Sequence, residues 1–449
     1  MSPGRHRQRP GQHRPRRDAT SADLRLYWWG HTASALGSAF TGITLPIIAV
    51  VHFEASPGQV SLISAAAVLP MLLLALPAGV LADRIERPRR TLILLDTLSA
   101  IAVAAITAGV ALEVASIGWL VALCAAQGCV GVFLETVYFI HLRQLVDDAQ
   151  LGAVRARLQA GQYAAGIIGR LLAGPTIVMF GPAAALAVDG ISYLLSATAL
   201  VCMTPVAQTL RPTAGEPAAG LGAALRTMTT GMRFCFGEPV RRAVLVALFV
   251  PGAALAGVGA LTAPFLLRVV QVPTQAYGWL FMASGFAGLA GSVLAGRLLA
   301  GGRDPRGVLL ASSGAAALAG VLLPAAGGPI LIATGLAAVG VGLPALFAAV
   351  ANVAVGPVIV ADVDEGTLGR ILAALQVVGA ASGLLGAVTG GALGELIGVR
   401  SALWVLQLGA LAAVLLSVPP ALRAARRSRR AAAPADLGRT PAADLARAA

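Results

Sequence analysis

Gly79-Val80-Leu81-Ala82-Asp83-Arg84-Ile85-Glu86-Arg87-Pro88-Arg89-Arg90 joins two apolar runs, Val60–Leu81 and Thr91–Leu112, and its reading settles what solvent surrounds the chain. Each run has the ~20 residues that a helix needs to cross hydrocarbon. A cluster of arginines between two such runs stays at a headgroup surface, and basic loops are retained on the cytoplasmic side. Gly79 lets two helices approach closely, and the Asp83 carboxylate can dock on a helix N-terminus or on a neighbouring arginine. The stretch therefore reads as the tight cytoplasmic turn of a membrane helical hairpin.

The rest of the chain repeats that pattern. Of 449 residues 57% are apolar and 12% charged, a ratio that suits a bilayer and not a water-exposed globular surface. Long apolar runs without two-residue alternation exclude a β-barrel, because unpaired backbone groups in lipid leave only helices for such segments. The net charge of +13 does not indicate nucleic acid, since aromatics are 5% and the basic residues, all of them arginine, fall between the apolar runs. Cys124, Cys129, Cys202 and Cys235 form neither a disulfide framework nor a metal-ligand pattern, so no cofactor or metal is expected.

Taking ~20 residues per span, the reading places helices at Leu26–Val51, Val60–Leu81, Thr91–Leu112, Trp119–His141, Gln159–Met179 and Ala183–Pro205. A second set follows at Ala243–Leu266, Tyr277–Leu299, Gly307–Ala325, Pro329–Ala351, Gly369–Leu393 and Ser401–Val418. The expected fold is an all-α polytopic membrane protein with 12 transmembrane helices in two pseudo-symmetric six-helix halves. Residues 1–25 form a basic tail without the features of a secretory signal, 206–242 a connector and 419–449 a second tail. In the connector Leu225, Met228, Met232 and Phe236 recur at helical spacing beside Arg226 and Arg233, the pattern of an amphipathic helix on the membrane surface. Alternate loops divide the arginines unevenly: 30 fall on the side of the two tails, against Arg268 and Arg400 on the other, with Arg170 inside a span. Both termini are expected in the cytoplasm.

With Gly79, Asp83, Arg84 and the trailing Arg87, Arg89 and Arg90, the first loop resembles the signature between helices 2 and 3 of the major facilitator superfamily, G-x-x-x-D-R/K-x-G-R/K-R/K, except that Glu86 replaces its glycine. The acid-arginine form looks like the branch that includes the enterobactin and macrolide efflux proteins. Gly231-Met232-Arg233-Phe234, Gly369-Arg370 and Gly391 to Arg400 extend the resemblance over nearly the whole chain, and Gly296 to Arg306 looks like a degraded second copy of the first loop. The resemblance implies the major facilitator fold, alternating access, and a gate in which Asp83 and the following arginines meet the helix that starts at Gly369 and Arg370.

Ionisable groups inside spans mark functional sites by default. Asp96, Glu135, Arg170 and Asp189 all fall in the first half. Resembling antiporters carry Gly-Pro-x-x-Gly-Gly in the fifth helix, whereas Gly169-Arg170-Leu171-Leu172-Ala173-Gly174 sets arginine in the place of proline. At ~1.5 Å per residue, Glu135 and Asp189 both lie within roughly 10 Å of Arg170 in depth. Arg170 is therefore expected to meet one of these acids or a wet cavity; the functional readings make Glu135 a proton carrier or Arg170 an anchor for an anionic substrate, and the plainer one makes both a fixed pair that holds the first-half bundle. Asp189 reads as structural and Asp96 as a partner of the arginine-rich loop. Cys124 stands where resembling antiporters have an arginine three residues before Gln127. His31, Ser34, Ser38 and Thr41 make a polar stripe on the first helix that lines a cavity or packs between helices, and Asn352, Gln376 and Gln407 are the larger polar side chains of the second half.

These features point to a secondary exporter of a partly hydrophobic small molecule, a drug, siderophore or secondary metabolite. Proton antiport is the expected drive, in the cell membrane, as a monomer. An uptake carrier or uniporter is the alternative within transport. No P-loop indicates direct ATP use, and no metalloprotease motif, Ser/His/Asp arrangement or paired carboxylates on one helix point to an enzyme.

Overall fold

The computed structural model describes residues 21–82, 85–146, 148–204, 239–360 and 365–432, together with 222, 229, 233 and 237. Asp83 and Arg84 lie outside the described residues, as do both tails' outer parts and most of the connector with its expected amphipathic helix. Twelve helices are present among the described residues. In the first half they are α1 (Ser21–Ile47), α2 (Pro57–Ala82), α3 (Pro88–Ala111), α4 (Ile117–Leu145), α5 (148–180) and α6 (182–202). The second half has α7 (Pro239–Pro264), α8 (Thr274–Ala300), α9 (Pro305–Gly320), α10 (Ile330–Val360), α11 (Glu365–Ile397) and α12 (Val399–Ala432). The corner between α5 and α6 is made by Gly181 at φ 84°, a left-handed conformation that favours glycine, followed by Pro182.

Ten helical segments are long and apolar enough to cross a bilayer, one of them the joined α5–α6 run Gln150–Cys202. α9, with 16 residues, is shorter than the expected Gly307–Ala325 because Leu318 to Leu323 close as turns. α5 is longer than expected at its start, by the polar turns from Asp148 to Leu158 that extend beyond the apolar run. Large apolar side chains such as Leu73, Leu195, Leu331 and Leu416 are well exposed around the bundle. Such a surface is stable against lipid tails and not against water.

The two halves carry the same irregularity at the same place. α1 ends in a π-turn, Ile48–His52, and α7 in another, Phe265–Val269. In each, the amide immediately after a residue of positive φ reaches back six positions: Ala55 N–H to Ala49 O and Val272 N–H to Leu266 O, both 2.8 Å. Glu54 and Gln271, at φ 49° and 61°, are the equivalent positive-φ residues. The loop before α9 parallels that before α3, since both helices begin at proline. Asp304 caps α9 by accepting from the Arg306 and Gly307 amides at 3.4 and 3.2 Å, whereas Arg87 gives α3 no side-chain cap. Asp304→Ala should cost about 1 kcal/mol of stability, read as a small drop in the midpoint of thermal unfolding in detergent.

The end of the bundle where α1 passes to α2 and α7 to α8 is here the distal end, and the end holding the chain termini the terminal end. At the distal end one apolar core is shared by both halves, with Ile43, Ile48 and Leu120 beside Leu261, Phe265 and Leu266. Toward the terminal end the core separates. One cluster, around Leu92, Val137, Leu142 and Leu200, lies within the first half, and another, around Ala295, Leu309 and Ala354, within the second. The molecule is therefore fastened at one end and divided toward the other.

Candidate transport cavity

The distal fastening is made of backbone as much as side chains. The Gly58 amide of α2 donates to Glu395 Oε1 of α11 at 2.9 Å. Arg268, in the second π-turn, donates from Nη1 to Ala55 O and from Nη2 to Val50 O, both at 2.8 Å, and so ties the second half to the first. The other distal arginine, Arg400, stays within its own half: it donates to Ala326 O at 2.8 Å and lies over the Phe265 ring. On the α5–α8 side a Cβ added to Gly278 would meet Arg170 O at 2.8 Å, and one added to Gly174 would meet Gln275 O at 2.9 Å. Both contacts need glycine, because the obstacle is main chain that no rotamer can clear.

Beyond Gly278 the helices part, and a cavity of about 530 Å³ lies between α5, α8 and α10. Gln162, Tyr163, Arg170, Ser284, Ser292 and Asn352 supply its polar wall, among apolar residues such as Ile167, Leu289 and Val353. The Ser284 and Ser292 hydroxyls donate to their own helix, at Phe281 O and Gly288 O. A second space, about 270 Å³ within the second half, shares Asn352 and is otherwise lined mainly by alanine and proline, with Ser313 and Gln407.

Arg170 is half-buried, and no hydrogen bond or ion pair joins its guanidinium to another of the described residues. Neither expected acid meets it. Asp189, 2% exposed, accepts from Thr41 Oγ1 at 2.5 Å and from the Ser192 hydroxyl. Glu135 is exposed and acted on by the charge of Arg155, in the early turns of α5. Arg155 in turn lies over the ring of Phe139, 5.1 Å from its centroid. Of the outcomes open to Arg170, the structure gives the third, a place on the wall of a cavity.

Asp96 departs from its expected partnership with the arginine-rich loop. It is fully buried, two turns into α3, and accepts from Ser196 Oγ of α6 at 2.7 Å and Tyr138 of α4 at 3.5 Å. From there a polar seam runs through the first half. Tyr138 and Ser196 hydroxyls are 2.7 Å apart, Tyr27 donates to Tyr138 O, and the His31 ring packs on Tyr138 with centroids 4.7 Å apart. His31 Nε2 lies 2.7 Å from Gln162 Nε2, which links the seam to the cavity wall. Ser38 and Gln127 both reach the Tyr193 hydroxyl, at 3.3 and 2.8 Å. Buried Asp96 Oδ1, Ser99 Oγ, Gln127 Oε1 and both nitrogens of His141 have no partner among the described residues. Polar atoms left in such numbers need water or an exchangeable proton, since an unsatisfied buried group costs ~1–3 kcal/mol.

Of the stripe on α1, Ser38 and Thr41 thus bind α6 side chains, while His31 and Ser34 are half-exposed. Gln407 packs against Gly320 and lines the second space, within its own half. Gly79, Gly369 and Arg370 sit in helices, and the surroundings of the two glycines and the side chains of Arg370 and Gln376 lie outside what is described. Arg89 donates to Leu200 O and Val201 O at 2.6 and 2.7 Å, so it caps the end of α6, and Arg87 and Arg90 are exposed. Tyr138, Tyr193, Ser196 and Arg155 were missed in sequence. The signal for three of them was a hydroxyl in mid-span, which packing alone does not require.

The same architecture occurs in known transporters. The nucleoside transporter NupG aligns with a TM-score of 0.73 at 11% identity, over 89% of this chain and 99% of that one. A bacterial homologue of the iron transporter ferroportin, in an inward-facing state, gives 0.67 at 14% identity over 90% and 100%. A bacterial homologue of the human lysosomal transporter Spinster, inward-facing and unoccupied, gives 0.62 at 16% over 90% and 95%. In sequence, the uncharacterized MFS-type transporter YfiS of Bacillus subtilis is 25% identical over 383 residues, 83% of this chain and 86% of that protein. The profile of the Major Facilitator Superfamily matches residues 27–356. The chain therefore belongs to the Major Facilitator Superfamily, and it is a transporter and not an enzyme.

Proposed function

We propose that this transporter is a proton-driven exporter of a partly hydrophobic small molecule, here in its inward-facing state. The observation that carries the reading is the divided core: one apolar cluster joins the halves at the distal end, and separate clusters flank a cavity toward the terminal end. A carrier working by alternating access needs that arrangement in one of its two states. The placement of 30 arginines on the side of the tails supports a cytoplasmic terminal end, and with it the inward-facing reading in a cell membrane. Similar folds named for nucleosides and iron leave the cargo to be argued from the cavity.

Export, and the likeness to the enterobactin and macrolide branch, rest on the Asp83-Arg84 loop; its gating by contact with Arg370 is a proposal for the state that closes the cytoplasmic end. Proton coupling rests on the concentration of Asp96, Glu135 and Asp189 in the first half, on an unsatisfied polar seam, while the described cavity wall of the second half carries no charge. Glu135 is the acid of the three that is exposed, so it is the proposed entry point for the proton. Asp96 and Asp189 are reserve carriers deeper in the same half.

The test is efflux of hydrophobic compounds, including acids, from proteoliposomes under an imposed proton gradient. Wild type should show gradient-driven transport, and Glu135→Gln should lower it at least tenfold while leaving detergent stability unchanged. Flux that ignores the gradient in both proteins would replace the antiporter by a facilitator.

A further inference from the structure

Arg170 stands about eleven residues, or ~16 Å, from the α5 corner at Gly181, which puts its guanidinium deep in the bilayer. A cation at that depth requires a counter-charge or water. Glu135 is engaged by Arg155, Asp189 by Thr41 and Ser192, and Asp96 by Ser196 and Tyr138. None of the residues lining the cavity beside Arg170 is acidic. Glycine lets α8 come close beside it: a Cβ on Gly285 would be 3.4 Å from Arg170 Nη1 and 3.0 Å from Ile167. The guanidinium therefore packs on the bare backbone of α8 on one side and lines the cavity on the other, with no carboxylate in that wall.

We infer that Arg170 is the anchor for an anionic group, so that the cargo class is an amphiphilic acid, a carboxylate, sulfonate or phosphate on an apolar body. This rests on the proposed use of the cavity as the cargo path. A planar guanidinium presents parallel N–H donors that match the two oxygens of such a head. Asn352, across the cavity on α10, supplies a neutral amide to the same space, and Ile167, Leu289 and Val353 receive the apolar part. A volume of about 530 Å³ admits a ligand of fused-ring size or larger. The charge of Arg170 is then compensated in turn by cargo and by cavity water, which a fixed internal acid would prevent.

The experiment uses full-length protein in neutral detergent, without any gradient. Binding of 2-naphthoate, naphthalene-2-sulfonate and 2-naphthyl phosphate is compared with that of 2-naphthamide by thermal shift and by quenching of intrinsic fluorescence. Expected is at least one acid bound tenfold or more tightly than the amide, with that preference lost in Arg170→Gln and partly kept in Arg170→Lys. Gly285→Val, which crowds the guanidinium from the α8 side without removing its charge, should weaken the acids too, and it serves as the second variant if Arg170→Gln fails to fold. Equal binding of acid and amide, binding of none of the probes, or an acid preference that survives Arg170→Gln would overturn the inference. Stabilisation by added phosphatidylglycerol alone would also overturn it, by assigning the guanidinium to a lipid headgroup. Because no gradient is applied, loss of proton coupling in liposomes would leave this result standing, and the two readings fail separately.

Discussion

Arg268→Ala should release the distal end and shift the protein toward an outward-open state. The side chain gives two charge-assisted hydrogen bonds, to Val50 O and Ala55 O, and both cross between halves. Such bonds contribute ~1.5–3 kcal/mol each. Discounting for water that replaces them, a loss of about 3 kcal/mol changes the ratio of the two states by ~100-fold. Spin labels at Val114→Cys and Leu331→Cys, exposed distal positions on opposite halves, report the change as a longer distance in the variant. Arg268→Lys should fall between, since one ammonium does not reproduce the fork. Arg400→Ala is the control, because its contacts lie within the second half. Unchanged distances in Arg268→Ala would mean that the shared core and the Gly58–Glu395 bond hold the end closed unaided.

Gly257→Val should be the most destabilising of the glycine substitutions in α7, and Gly259→Val nearly neutral. A Cβ on Gly257 would approach Gly386 O at 2.7 Å and Leu406 Cδ1 at 3.1 Å, whereas Gly259 has nothing within 4 Å. The neighbour is the α11 backbone, so relief requires the two helices to separate. Overpacking costs ~1–3 kcal/mol where side chains can adjust, and a backbone obstacle puts Gly257 at the top of that range. Both changes alter intrinsic helix propensity by the same amount, in the favourable direction, so their difference isolates the contact. Thermal unfolding in detergent reads it as a clearly lower midpoint for Gly257→Val alone. Equal midpoints would show that α7 and α11 are not in contact along this seam.

Span number and order were legible because hydropathy integrates over twenty residues and tolerates errors at the ends. The position of the turn before α3 was legible from the arginine cluster and proline between two apolar runs, since α2 ends at Ala82 and α3 starts at Pro88. The environment of Arg170 was not legible. Residue counting gives depth along a helix, and Glu135 and Asp189 matched Arg170 in depth, but the direction in which each side chain points depends on how helices rotate against one another. Glu135 illustrates a second cause. With the fifth helix begun at Gln159, Arg155 fell in a loop; the actual start at Asp148 places Arg155 on a helical turn from which its charge acts on Glu135. Asp96 was misread because proximity in sequence to Arg87, Arg89 and Arg90 was taken for contact, whereas it lies about two turns further along α3 than Arg89, whose donors go to the α6 carbonyls of Leu200 and Val201. Tyr138 and Ser196, which hold Asp96, are distant in sequence and leave no pairwise trace in a single chain.

The paired π-turns give the distal latch a handedness. Position by position, Ile48–His52 corresponds to Phe265–Val269, which sets exposed Val51 against Arg268. One copy of the duplicated motif supplies the key, and the other, through the carbonyls of Val50 and Ala55, the keyhole. The second copy's own keyhole, the carbonyls of Leu267 and Val272, has no key cut for it, since valine at position 51 has nothing to donate. A doubled protein with arginine at both places would be bolted twice, and each transport cycle would have to draw two bolts together. Divergence of the halves at this position leaves one bolt between the paired π-turns, drawn separately from the Gly58–Glu395 bond beside it.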